Sequence, residues 1–142
     1  AIGAAAGGWI CDRLCRRLGL RWGCRWPVVV GMVVSGLLLI TGAVTESAYL
    51  AVAMLALCFL FNQLTEGSYW ATSIAIGGRY AGTAGGVMNT GANLMGIVNA
   101  LLVPTISAML GWTFAMAMGG VFALVGAGLM LMVRADRPFD TT

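Results

Sequence analysis

A chain of 142 residues that is 60% hydrophobic and 9% charged, with a mean hydropathy of +0.91, lies far from the soluble balance of about half apolar and a quarter charged residues. This composition predicts an all-α integral membrane protein with several crossings of about 20 residues each, and leaves no room for a separate soluble domain. The formal charge of +3 comes from arginines in two short clusters and one lone position. Such placement orients membrane segments and does not indicate a nucleic-acid-binding surface.

The chain opens on residues 1–10, which are small and apolar but only about half as long as a crossing requires. There is no initiator methionine and no basic region typical of a signal peptide. We therefore expect the end of a transmembrane helix whose beginning, with an N-terminal part of the protein, is missing. Residues 11–27 follow and carry five arginines, a charge density that predicts a cytoplasmic loop.

Four apolar segments come next, and each is long enough to cross a bilayer once. The predicted transmembrane helices within residues 28–133 cover about 28–44, 48–76, 80–109 and 112–133. Arginine-bearing and arginine-free turns alternate along the chain, so the positive-inside rule places the tail, residues 134–142, in the cytoplasm. The sequence thus predicts a multi-pass protein of a cell membrane, most simply a bacterial inner membrane.

The first motif is G-W-I-C-D-R-L-C-R-R at residues 8–17. It resembles the major facilitator superfamily signature G-x-x-x-D-R-x-G-R-R, with Cys15 in place of the second glycine. The resemblance implies a cytoplasmic gate, in which Asp12 faces the positive N-terminal end of a neighbouring helix while arginines pair with carboxylates. The candidate gate residues are Gly8, Asp12, Arg13, Arg16 and Arg17. The alternative interpretation is charge that only orients the loop.

The second motif, G-T-A-G-G-V-M-N-T-G-A-N-L-M-G at residues 82–96, is polar and glycine-rich inside a predicted crossing. With residues 70–79 it is similar to helices 10 and 11 of the anion:cation symporter family of that superfamily, whose run is close to G-G-x-M-N-T-G-G-N-x-x-G. Ala92 replaces one glycine. The resemblance implies a chain running from the end of helix 8 through helix 12, part of the C-terminal six-helix half of a twelve-helix transporter.

That resemblance also implies transport of organic anions such as sugar acids, with protons or another coupling ion, by alternating access. Asn89 and Asn93 lie four residues apart and so share one helix face. Their carboxamides donate and accept hydrogen bonds, which suits hydroxylated acids. The alternative role is interhelical hydrogen bonding, worth under about 1 kcal/mol on average in membranes. The spacing of Gly82 and Gly86 predicts close helix packing.

The preceding helix carries Asn62, Glu66, Tyr69 and Ser73 on one face. We expect Tyr69 and Ser73 to contact substrate together with the two asparagines. Glu66 is the sole carboxylate inside an apolar segment, which makes it a candidate for proton coupling. It lies about 27 Å along a core of roughly 30 Å, so contact with cytoplasmic water is the alternative.

Other functional classes find little support. The sequence has no histidine, which removes Ser/His and Cys/His catalysis, so we expect no enzyme and no cofactor. Its four cysteines lack paired C-x-x-C spacing, so we expect no metal site. The expected partners are the lipid bilayer, an organic anion, a coupling ion and the missing N-terminal part. A small four-helix exporter and a non-transporting membrane scaffold are the alternatives.

The charge pattern yields a test of topology. Glu46 lies in the first arginine-free turn, so a Glu46→Cys variant, in a background without native cysteines, is expected to react with a membrane-impermeant thiol reagent added from outside. Tyr80→Cys, beside Arg79 in the next turn, serves as the control and should react only after permeabilisation. Labelling of position 46 from the cytoplasmic side alone would contradict the predicted topology.

Overall fold

The computed structural model describes residues 2–136, and every regular element in this part of the chain is helical. The elements are α1 (Ile2–Ala43), α2 (Ala48–Gly77), a short 3₁₀ turn (Gly78–Tyr80), α3 (Ala81–Leu110) and α4 (Trp112–Met130). Three described stretches are long and apolar enough to cross a membrane: Ala6–Ala43, Ala48–Leu110 and Trp112–Met130. The second of them contains both α2 and α3. The predicted all-α membrane class is confirmed.

Helix α1 is divided at Gly19, where φ is +78° and ψ is 165°. A side chain is strained in this left-handed region, and glycine is not. The chain reverses here, so residues 2–18 (the first limb) and residues 20–43 (the second limb) lie side by side. Cys15 and Cys24, one on each limb, have their sulfur atoms 3.5 Å apart. A Cβ added at Gly23 would lie 2.7 Å from Cys15 Sγ, so glycine is also what permits this close approach.

The stretch predicted as a loop, residues 11–27, is therefore helical on both sides of Gly19. Arginine and leucine are good helix formers. Long arginine side chains can also reach water from a helix surface while their stems cover apolar atoms. High charge alone does not require an irregular backbone. In place of the predicted loop, Gly19 alone has non-helical backbone angles.

The main interface joins α1 to α2 and is built on glycine. A Cβ added at Gly7 would lie 2.8 Å from Leu64 Cα, and one added at Gly67 would lie 2.9 Å from Gly8 Cα. Small residues allow backbones this close, which is the usual basis of helix association in membranes.

The face of α2 that meets α1 is polar but small. Thr65, Ser68 and Thr72 are buried on it. Thr65 Oγ1 donates to the Asn62 carbonyl at 2.7 Å, and Thr72 Oγ1 donates to the Ser68 carbonyl at 2.7 Å. These bonds within the helix satisfy both hydroxyls without a partner on another helix.

Helix α4 packs on the second limb of α1, where a Cβ at Gly36 would lie 2.9 Å from the Gly120 carbonyl oxygen. The chain then returns to the Gly19 turn. Arg25 is buried and donates from Nε to the Val133 carbonyl at 2.7 Å and also from Nη2 to the same oxygen. Arg21 Nε lies 4.0 Å from Asp136 Oδ1. This end of the chain is thereby attached to the arginine-rich turn.

The observed bounds differ from the predicted ones at several ends. The second limb begins at residue 20 and not at 28, and α4 ends at Met130 and not at 133. Residues 131–133 form turns, with Val133 N donating to the Met130 carbonyl at 3.2 Å. Of the predicted tail 134–142, residues 137–142 lie outside the described part, as does residue 1 of the predicted truncated helix. The membrane placement of these segments stays a prediction.

Helix α3 lies at the edge of the assembly, and residues 89–102 on it are exposed. It is joined to α2 through the 3₁₀ turn, where Gly78 has φ +50°. The predicted helix contact at Gly82 and Gly86 is wrong for the described residues, because a Cβ at either position meets nothing within 4 Å. The contact occurs at Gly85, where a Cβ would lie 3.0 Å from the Trp70 ring. The small-residue spacing identified the right helix. The observed contact face differs from the predicted one by one residue, which is a rotation of about 100° around the helix axis.

Adjacent glycines of the first limb offer a matched test of the α1–α2 interface. Gly7→Ala places a methyl group against the Leu64 backbone and is expected to lower the free energy of unfolding by about 1–3 kcal/mol. The methyl group of Gly8→Ala would have no neighbouring atom within 4 Å. This variant should leave the free energy of unfolding unchanged or raise it by up to about 1 kcal/mol, because alanine favours the helix. Thermal unfolding in detergent micelles measures both. Equal effects would contradict the packing described.

Candidate functional site

A cleft of about 310 Å³ lies between α2 and α3. Its lining combines one carboxylate, three side-chain amides, two hydroxyls and an apolar remainder. The residues are Asn62, Gln63, Thr65, Glu66, Tyr69 and Trp70 of α2 and Met88, Asn89 and Ala92 of α3. A concave surface with a few convergent polar groups is the usual form of a small-molecule site.

The turn between the two helices positions this lining. At its base, a Cβ added at Gly77 would lie 2.8 Å from Ala84 Cβ, so the helices are close together there. Further along, the Trp70 ring of α2 packs on Gly85 of α3. The cleft begins beyond this contact, where the sequence supplies polar residues on both helices.

Two hydroxyls of the lining already have partners. Tyr69 Oη donates to Met32 Sδ of α1 at 3.0 Å, which fixes the half-buried ring against the second limb. Thr65 Oγ1 donates to a carbonyl of its own helix. The side chains of Asn62, Gln63 and Asn89 make no hydrogen bond to another described residue, so their donors are available to a ligand.

The acidic group of the cleft is Glu66. Glu66 is exposed and forms no salt bridge with a described residue. The lining contains no arginine or lysine. An ionised Glu66 would repel an anion from this cleft, so the described part of the chain supplies hydrogen-bond donors but no positive charge for one.

The structure brings three of the predicted residues together, namely Glu66, Tyr69 and Asn89, and leaves two outside. Asn93 is exposed, and its Nδ2 donates to the Asn89 carbonyl at 2.8 Å. Ser73 is partly buried and does not line the cleft. Substrate contact by any of these residues stays a prediction.

Sequence reasoning missed five lining residues, Gln63, Thr65, Trp70, Met88 and Ala92. Gln63 and Thr65 are each adjacent to a residue on the predicted polar face, and helical spacing alone places an adjacent residue about 100° away from its neighbour. The other three resemble ordinary packing residues in a membrane helix. Their role becomes visible only when α3 is placed against α2.

The candidate gate residues have few contacts. Asp12, Arg13, Arg16 and Arg17 are exposed and form no salt bridge with a described residue. The Arg13 guanidinium lies 5.4 Å from the Trp9 ring centroid, and Arg16 Nε donates to the Asp12 carbonyl at 3.4 Å. Gly8 packs against Gly67. No contact across a gate is present in the described part, so gating stays a prediction.

A second cluster was not predicted. The sulfur atoms of Cys11, Cys15 and Cys24 all lie within 4.8 Å of one another at the Gly19 turn. The available signal was the spacing of four residues between Cys11 and Cys15, which places both on one helix face. A loop assignment for residues 11–27 hides this signal, because side chains share a face at a spacing of four residues only in a helix.

Comparison with curated proteins finds "Probable sulfoacetate transporter SauU" of Cupriavidus necator, which is 34% identical over 102 residues, covering 71% of this chain and 24% of that protein. The chain spans about a quarter of the length of this relative. No family model matches the chain, and no solved structure matches it. The relative is named as a transporter. Together with the membrane-capable helices of the described residues, the likeness supports a multi-pass membrane protein.

Proposed function

We propose that this chain is part of a secondary active transporter of small organic anions, and that the cleft between α2 and α3 contributes to its substrate site. The observation that carries the proposal is the convergence of Glu66, Tyr69 and Asn89 in a cleft between two helices of membrane-crossing length. Polar side chains in such helices face a cavity or a neighbouring helix because lipid offers them no hydrogen bonds.

The resemblance of both motifs extends the proposal to the anion:cation symporters of the major facilitator superfamily. Such transporters have two halves that rock around a site near the bilayer midplane. The present chain would supply the end of helix 8 through helix 12, and an N-terminal part of the same protein would supply the other half of the site. The exposed residues 89–102 of α3 offer surface for that part.

The substrate chemistry follows from the donors. Side-chain amides of Asn62, Gln63 and Asn89 can donate to the oxygens of a carboxylate or a sulfonate. The relative is named for sulfoacetate, an anion that carries both groups. Since the lining has no basic residue, the positive charge for the anion would come from the N-terminal part of the protein.

Glu66 could couple transport to protons. An ionised carboxylate repels a bound anion, whereas the protonated acid carries no charge and does not. Protonation of Glu66 would therefore favour anion binding, and the proton and the anion would be transported together. The proposal also includes a cytoplasmic gate at residues 8–17 and a C-terminus that lies in the cytoplasm.

The substrate role of α3 is tested by Asn89→Ala in the protein expressed from its whole open reading frame. Uptake of sulfoacetate and of a panel of carboxylates into proteoliposomes should show KM raised about tenfold or more, because a hydrogen bond to a charged group contributes about 1.5–3 kcal/mol. Thr90→Ala, an exposed neighbour outside the cleft, should leave KM unchanged. If Asn89→Ala has the same KM as Thr90→Ala, Asn89 does not contribute to the substrate site.

Proton coupling is tested separately with Glu66→Gln. The amide resembles the protonated acid, so uptake should persist while its dependence on external pH is lost. Glu46→Gln, in the turn before α2, should retain that dependence. Uptake by the Glu66→Gln protein that still follows pH would show that another group carries the proton.

A further inference from the structure

The three cysteines at the Gly19 turn have a geometry that suits a metal ion. Cys15 Sγ lies 3.9 Å from Cys11 Sγ and 3.5 Å from Cys24 Sγ, and all three atoms lie within 4.8 Å of one another. Three thiolates bound tetrahedrally to zinc at about 2.3 Å lie roughly 3.8 Å apart. Only small side-chain movements separate the observed triangle from a coordination site.

The backbone holds this triangle from both limbs of α1. Cys11 and Cys15 occupy successive turns of the first limb, and Cys24 lies opposite them on the second. The reversal requires glycine at position 19, and the approach of the limbs requires glycine at position 23. The sulfurs are therefore placed by rigid helices, which favours preorganised ligation.

The cluster is enclosed but has an entry path. Cys11 is 1% exposed and Cys24 is 0% exposed, while Ala71 and Ala135 pack against them. Cys15 is partly exposed. A dry surrounding strengthens metal–thiolate binding, and the open side at Cys15 lets an ion enter.

A fourth donor lies on α2. Ser68 is fully buried, and its hydroxyl lies beside the Cys11 thiol, to which it can hydrogen-bond. Ligation by this hydroxyl would complete a four-coordinate site.

We propose that Cys11, Cys15 and Cys24, with Ser68 as the fourth donor, bind a thiophilic d¹⁰ metal ion such as Zn²⁺ at the turn between the two limbs of α1. The ion would join both limbs to α2 at one point. The competing outcome is a disulfide between two of the three cysteines, which would leave the third as a free thiol.

The test uses the full chain, purified in detergent, reduced and freed of metal by chelation. Zn²⁺ alone is then added, and binding is measured by competition with a chromophoric chelator. We expect a single Zn²⁺ per chain. Cys24→Ser should weaken binding at least about tenfold, and Ser68→Ala should weaken it to a smaller extent. Cys58→Ser, which removes a cysteine of α2 outside the cluster, is the matched control and should bind as before.

A second measurement needs no variant. Under reducing conditions, Zn²⁺ should protect Cys11, Cys15 and Cys24 from alkylation without changing the rate at Cys58, as read residue by residue by mass spectrometry. Substoichiometric binding, unchanged binding by Cys24→Ser, or equal alkylation with and without Zn²⁺ would each overturn the proposal. So would a disulfide within the cluster that persists in the presence of the reductant, in a protein with no affinity for the ion.

Discussion

The close approach of the α1 and α2 backbones is the contact on which the rest of this structure depends. Gly7 and Gly67 carry no side chain where the two helices meet, and a methyl group at either position would overlap backbone atoms. In a membrane the hydrophobic effect does not draw helices together, so van der Waals contact between small residues has to do so. The polar residues on this face of α2 are small for the same reason, and their hydroxyls bond to their own helix.

That contact determines where the chemistry of the chain lies. One face of α2 is occupied by α1, so the neighbouring face, with Glu66 and Tyr69, is turned toward α3 and forms the cleft. The hydrogen bond from Tyr69 to Met32 connects the cleft to the second limb. At the other end of the interface, the reversal at Gly19 gathers three thiols and places them beside Ser68. The two candidate sites therefore share one helix and lie on different faces of it.

The fold class could be predicted because hydropathy depends on composition and on the length of apolar runs, both of which are local in the chain. For the candidate site, the sequence predicts only which residues share a face of a single helix. The face of Asn62, Glu66 and Tyr69 does line one cleft, whereas Ser73 and Asn93 lie outside it. Helical spacing states which side chains share a direction. It does not state how far along the helix the opposing helix stays close.

The sequence by itself determined that this protein is helical and membrane-embedded, that arginines concentrate in particular turns, and that α2 and α3 carry polar residues. The tertiary structure decided that Gly85 and not Gly82 or Gly86 is the contact to α2, that Trp70 bounds the cleft, and that Cys24 meets Cys11 and Cys15. Each of these depends on the rotation of one helix against another or on a single positive φ at Gly19. Such quantities are set by contacts between distant residues, and no local pattern contains them.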